Sequence, residues 1–120
     1  MLVADDNVDT ATSLAMLLKA TGHMVQMAHD GMAAIQGALE FLPDAVLLDI
    51  GLPELNGFEV AKPLRLEATF APVVLVALTG YGQETDRQTA LRAGFDHHLV
   101  KPVAFDKLER VLASVVPRVS

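Results

Sequence analysis

Cysteine and tryptophan are absent from this chain, and aromatic residues make up only 5% of it. Without cysteine there can be no disulfide and no thiolate-held metal, so a metal site would have to use oxygen or imidazole ligands. Basic residues are also scarce. Nine Lys and Arg face fifteen Asp and Glu, giving a net charge of −6 and a pI near 5.0. No basic run is present, which argues against direct nucleic-acid binding, since that affinity rests on neutralising phosphates. Long apolar runs are missing too. Mean hydropathy is +0.37, yet the longest uncharged apolar stretch, residues 70–78, is far shorter than the ~18 residues a membrane-spanning helix needs. The chain reaches Asp5 and Asp6 before any basic residue, unlike a secretory leader. A cytoplasmic location, without membrane contact, is the expectation.

What is present describes one folded domain, residues 1–120. Hydrophobic residues are 52% and charged residues 20% of the chain, a globular rather than a disordered composition. A chain of this length buries roughly two-thirds of the surface it exposes when unfolded, so its core needs no staples.

The hydrophobic period switches repeatedly along the chain. Leu2, Val3 and Ala4 form a short apolar run ending in acids. Over 7–20, Ala11, Leu14, Leu17 and Leu18 share one face of a helix, which Gly22 punctuates. Residues 23–28 alternate as a strand. Asp30 is placed to cap a helix with the stripe Met32, Ile35, Leu39 and Leu42, stopped by Pro43. The continuous run Ala45-Val46-Leu47-Leu48 suits a strand buried on both faces of a parallel sheet. A helix over 58–67 contains Pro63, which should kink or shorten it. A second buried run covers 73–78, a helix covers 83–93 and ends at Gly94, a short strand covers 97–100, and Phe105, Leu108, Val111, Leu112 and Val115 make a last amphipathic stripe. Five strands alternating with five helices predict a parallel sheet with helices on both faces. Ligands in such folds bind at the carboxyl ends of the strands, where the strand order reverses.

The residues at those ends carry chemistry. Asp5 and Asp6 follow the first run, Asp49 ends the third, Thr79 the fourth and Lys101 the fifth. Each alone is unremarkable: an Asp pair before a helix is usually a cap, and a lone Thr or Lys-Pro means little. Together they would place three carboxylates, a hydroxyl and an ammonium on one sheet edge. Clustered carboxylates repel and call for a cation. An all-oxygen donor set favours magnesium, manganese or calcium over zinc. A hard cation beside a lysine and a threonine suits a phosphoryl group, and Asp49 is the candidate nucleophile for an aspartyl phosphate.

Taken together, Val3-Ala4-Asp5-Asp6-Asn7, Leu47-Leu48-Asp49-Ile50-Gly51-Leu52-Pro53, Asn56-Gly57, Leu78-Thr79-Gly80, Ala93-Gly94 and Val100-Lys101-Pro102 resemble the receiver domain of two-component response regulators, over essentially the whole chain. The resemblance implies a flavodoxin-like doubly wound α/β fold of five parallel strands in the order 2-1-3-4-5 with five helices. It implies a phosphorylation-dependent signalling switch in a phosphorelay. Asp49 would be the phosphoacceptor. Asp6 would bind Mg2+ directly and Asp5 mainly through water, with Asp49 and the Gly51 backbone carbonyl completing the set; Mn2+ would also serve. Thr79 would follow the phosphoryl group, Lys101 would pair with it, and the Lys101–Pro102 bond would be cis. The reactions implied are Mg-dependent self-phosphorylation and autodephosphorylation, with no turnover of an external substrate. The partner implied is a histidine kinase or a histidine phosphotransfer domain.

Several positions depart from the family's pattern. Three residues before the lysine, where an aromatic switch residue is common, stands His98, which would make the switch responsive to pH. Gly80 follows Thr79, Gly51 offers little shielding near Asp49, and Tyr81 is the substitute shield. Only four residues precede Asp5, and the segments 49–53 and 78–82 are worded like receivers fused to sensor histidine kinases, so the expected context is a hybrid kinase. The alternatives are a stand-alone single-domain regulator, or a degenerate receiver acting only as an interaction module. Val8 and Ala15 lie at the margin of the first helix's buried face and offer docking for a helical partner that carries the phosphohistidine. Arg87, Arg92, Asp96, Lys107 and Arg110 could form charge pairs on the face of the fourth helix, fifth strand and fifth helix, where the family often forms homodimers. A phosphatase of the haloacid dehalogenase type would need its two aspartates two residues apart on the first strand, but here they are adjacent. A nucleotide-binding flavodoxin-like protein would need a glycine-rich loop after that strand, and none is there.

Overall fold

The alternating pattern is realised in full. A computed structural model of the chain describes residues 1–52, 55–67, 73–80, 87–113 and 115. Its elements are β1 (Leu2–Ala4), α1 (Val8–Ala20), β2 (Gln26–Ala28), α2 (Gly31–Phe41), β3 (Ala45–Asp49), α3 (Gly57–Leu66), β4 (Val74–Thr79), α4 (Arg87–Arg92), β5 (His97–Val100) and α5 (Phe105–Ala113). The strands form one sheet in the order β2-β1-β3-β4-β5, and every pairing is parallel. This is the flavodoxin-like doubly wound arrangement, and its order reverses between β1 and β3.

Strand alternation feeds two cores. Leu2, Ala4, Val46, Leu48, Leu75 and Ala77 pack with α2 and α3 on one side of the sheet. Val3, Ala45, Leu47, Val76 and Leu78 pack with α1 and α5 on the other. All five residues of β3 are buried, as its uninterrupted apolar run requires. The helices start on polar caps. Asn7 accepts from Thr10 N at 3.1 Å, Asp30 accepts from Ala33 N at 2.8 Å, and Asn56 forms a reciprocal capping box with Glu59. Gly94, at φ 103°, turns the chain from α4 into β5 in a conformation that other residues avoid.

Four expectations need correction. The α2 stripe is rotated. Met32, Leu39 and Leu42 are exposed, and the buried face is Gly31, Ala34 and Ala38. Small residues let this helix lie close to the sheet and to the loop before α3; a Cβ on Gly31 would come within 2.6 Å of Leu55 Cβ. In α1, likewise, Ala15 is buried and Leu17 is partly exposed. Finally, Pro63 does not cut α3 short. The helix runs on to Leu66 with the half-buried proline inside it. Strand β2 is also shorter than the alternating segment, spanning Gln26–Ala28 only.

Candidate functional site

Sheet register brings the separated acids together. Ala4 of β1 pairs with Leu48 of β3, so Asp5 and Asp49 leave neighbouring strands at the same level. One carboxylate oxygen from each of Asp5, Asp6 and Asp49 lies within 4.8 Å of the other two. Asp5 is fully buried and Asp49 is 4% exposed, whereas Asp6 faces solvent at the rim.

Each buried carboxylate has local support. Asp5 Oδ1 accepts from Asn7 N at 2.9 Å, and Asp49 Oδ1 accepts from Gly51 N at 2.8 Å. Their other oxygens share one cation: Lys101 Nζ donates to Asp5 Oδ2 and to Asp49 Oδ2, both at 3.1 Å. The lysine is carried there by β5, which continues past Val100 with Lys101 N donating to Thr79 O at 2.7 Å. The Lys101–Pro102 peptide is cis, as the resemblance implies.

The electrostatics follow from burial. Desolvation, aided by the Asp49 charge, pushes the Asp5 carboxyl above the usual carboxylate range against the opposing pull of the Asn7 N–H and Lys101. Burial works to lower the Lys101 ammonium, but the two carboxylates outweigh it and hold its pKa above the ordinary value. One ammonium cannot balance three carboxylates. The all-oxygen donor set, with a buried floor and Asp6 at an open rim, fits a hard divalent cation that keeps room for a phosphate oxygen.

Thr79 ends β4 with its side chain 2% exposed. Its Oγ1 lies 2.9 Å from His98 Nε2. The register explains the contact. Ala77 and Thr79 share one face of β4, and His98, paired with Ala77, shares that face on β5. Gly51 is exposed at the rim and Gly80 follows β4 directly, while Tyr81, the expected shield, lies outside the described residues.

Sequence reasoning missed two supports. His29 looks like an edge histidine, and it is exposed, yet its Nδ1 lies 3.0 Å from the backbone oxygen of Asp5. Gly57 packs against the strand end that carries Asp49, where a Cβ would come within 2.7 Å of Ile50 Cα and 3.0 Å of Asp49 O. The Asn56-Gly57 pair was the available signal for the second; nothing local marks the first. Two other expectations change. Ala15 is 2% exposed and offers no docking margin, whereas Val8 is 57% exposed beside Asp6. Asp96 pairs with Arg65 of α3 at 2.6 Å, a partner the charge-pair reading did not name.

Known proteins share the sequence pattern and the fold of this chain. The family model for the response regulator receiver domain matches residues 1–113. The transcriptional regulatory protein PrrA of Mycobacterium leprae is 40% identical over 119 residues, covering 99% of this chain and 47% of PrrA, so the chain spans about half the length of that relative. Among solved structures, the receiver domain of sensor histidine kinase PA1611 from Pseudomonas aeruginosa, with magnesium coordinated in its active-site cleft, is 32% identical with a TM-score of 0.82, covering 92% of this chain and 91% of that one. The receiver domain of Ssk1 from Saccharomyces cerevisiae, crystallised with the histidine phosphotransfer protein Ypd1, is 29% identical with a TM-score of 0.79, covering 91% of this chain and 82% of that one.

Proposed function

Because this chain belongs to the family of response regulator receiver domains, we propose that Asp49 accepts a phosphoryl group from a partner's phosphohistidine. The observation that carries this reading is the convergence of Asp5, Asp6 and Asp49 within 4.8 Å, with Lys101 bridging two of them. A bound Mg2+, held by Asp5, Asp6, Asp49 and the Gly51 carbonyl, would supply charge neutralisation at the phosphoryl oxygens; Mn2+ suits the same hard donors.

The protein's own groups do the rest. An Asp49 carboxylate oxygen forms the new bond to phosphorus as the phosphorus–nitrogen bond of the donor breaks, and the departing imidazole takes up a proton. Lys101, already against Asp49, pairs with a phosphoryl oxygen, and Thr79 donates its hydroxyl proton to another. The product is an acyl phosphate whose added charge draws Thr79 and the start of the following loop inward and biases a distant surface between two states. Water later hydrolyses it. No external substrate pool is turned over.

The donor is a histidine kinase or a histidine phosphotransfer domain, docking beside Asp6 on α1 through the exposed Val8. The parent protein is read as a hybrid sensor histidine kinase, on the wording of the segments around Asp49 and Thr79 and the likeness to the PA1611 receiver. Transfer of labelled phosphate from a phosphorylated histidine phosphotransfer protein tests the reading. Label is expected on the wild type, none on Asp49→Asn, and at least tenfold slower transfer to Val8→Asp. Undiminished labelling of Asp49→Asn would refute the assignment.

A further inference from the structure

The hydroxyl that must serve the phosphoryl group is already engaged. Thr79 is buried, so its proton needs an acceptor. Among the described residues, His98 Nε2 at 2.9 Å is the acceptor at hydrogen-bonding distance, since the Leu99 carbonyl oxygen at 3.5 Å is too far for a good O–H···O bond. An accepting Nε2 places the proton of the neutral ring on Nδ1. In that form the imidazole holds the very proton that a phosphoryl oxygen would require.

Protonation reverses the polarity of this contact. An imidazolium donates from both ring nitrogens. Nε2–H then donates to Thr79 Oγ1, and the hydroxyl proton is released to point elsewhere. We propose that His98 is a positioning residue for Thr79: its neutral ring holds the hydroxyl proton away from the phosphoryl site, and its protonated ring frees that proton, so that phosphorylation of Asp49 is coupled to pH through one hydrogen bond. The proposal rests on Asp49 as phosphoacceptor and adds a regulatory input to that site.

His98 is half-buried, beside a cavity of about 220 Å3. Helix α4 contributes Ala90 and Leu91 to that cavity, and α5 contributes Val111. The titratable groups in the lining besides His98 are Asp96 and His97, and the Asp96 carboxylate is held by Arg65 at 2.6 Å. On the sheet side, β4 presents Ala77 in register with the histidine. Lys101, three residues on, is committed to Asp5 and Asp49.

The test is the initial rate of phosphoryl adduct formation on the full chain with acetyl phosphate and magnesium, followed by intact-protein mass spectrometry. It runs between about pH 5.5 and 8, the range in which an unperturbed imidazole titrates. Dividing the wild-type rate by that of His98→Phe cancels the titration of the donor and of the shared acidic site. That ratio is expected to rise about two- to tenfold from the high end to the low end, the span expected for one net hydrogen bond. The ratio of His98→Gln to His98→Phe is expected to stay flat, because the amide bonds but does not titrate. In a Thr79→Val background the His98→Phe substitution is expected to leave no pH-dependent difference. Where His98→Phe fails to fold, His98→Gln serves as the reference. A ratio constant with pH, or an unchanged pH dependence in the Thr79→Val background, would overturn the proposal while leaving Asp49 as the acceptor. Absence of an adduct in all of these proteins, the wild type included, would overturn both.

Discussion

At the scale of single residues, the site is built on a conflict that folding does not relieve. Asp5 is held in the interior beside Asp49, with its carboxyl pKa raised by burial. The sign of the consequence follows from linkage. A carboxylate whose folded pKa lies above its unfolded value opposes folding once the pH exceeds both, and this cost disappears as the pH falls below the unfolded value. In metal-free buffer Asp5→Asn is therefore expected to melt above the wild type at neutral pH. The gap should close as the pH falls below the ordinary carboxylate range. Thermal melts at several pH values check this, and a variant that melts lower at neutral pH would show that the Lys101 ion pair outweighs the burial. Residue identities were also the most legible part of the site. Asp5, Asp6, Asp49, Thr79 and Lys101 stand at strand ends in the sequence, and each lies at the same edge in the fold. The contact of His29 with the Asp5 backbone was not legible, because 24 residues separate them and only the pairing of β1 with β2 brings them together.

At the scale of elements, strands were easier to read than helix faces. The runs at 45–48 and 73–78 correspond to β3 and β4, because burial on both faces leaves little choice of residue. The α2 stripe misled for a physical reason. Periodicity weighs large apolar residues, but close packing against the sheet selected the small face of Gly31, Ala34 and Ala38 and left Met32 and Leu39 outside. The same closeness governs α3, whose first residue, Gly57, abuts the backbone that carries Asp49. Gly57→Ala is expected to destabilise the fold by about 1–3 kcal/mol, the usual cost of overpacking. Urea unfolding would show it as a lower midpoint at unchanged slope. The variant should also lose phosphoryl acceptance beyond what its folded fraction explains, since the clash is relieved by moving Asp49. An unchanged midpoint would mean that α3 can shift freely away from the strand.

At the scale of the whole molecule, the acidic edge is the point where a ligand can stabilise the fold. A cation that binds only the native state raises stability by mass action. Magnesium at about a hundredfold excess over its dissociation constant is expected to add about 2.7 kcal/mol, or roughly 10 °C in melting temperature for a chain of this size. Asp6→Ala, at the solvent-facing rim, should keep the fold and lose most of that rise. An equal rise in both proteins would place the cation elsewhere. Among the described residues no helix is long and apolar enough to cross a membrane. The two cores lock the sheet between helix layers, and the clustered carboxylates of Asp5 and Asp49 sit where its strand order reverses.

The central claim is that Asp49 is a metal-dependent phosphoacceptor. Its most direct test is intact-protein mass spectrometry after incubation with acetyl phosphate, with and without magnesium, on the wild type and on Asp49→Asn. One phosphoryl adduct that requires both magnesium and Asp49 is the expected result. An adduct that persists in Asp49→Asn, or that forms equally well without the metal, would contradict it.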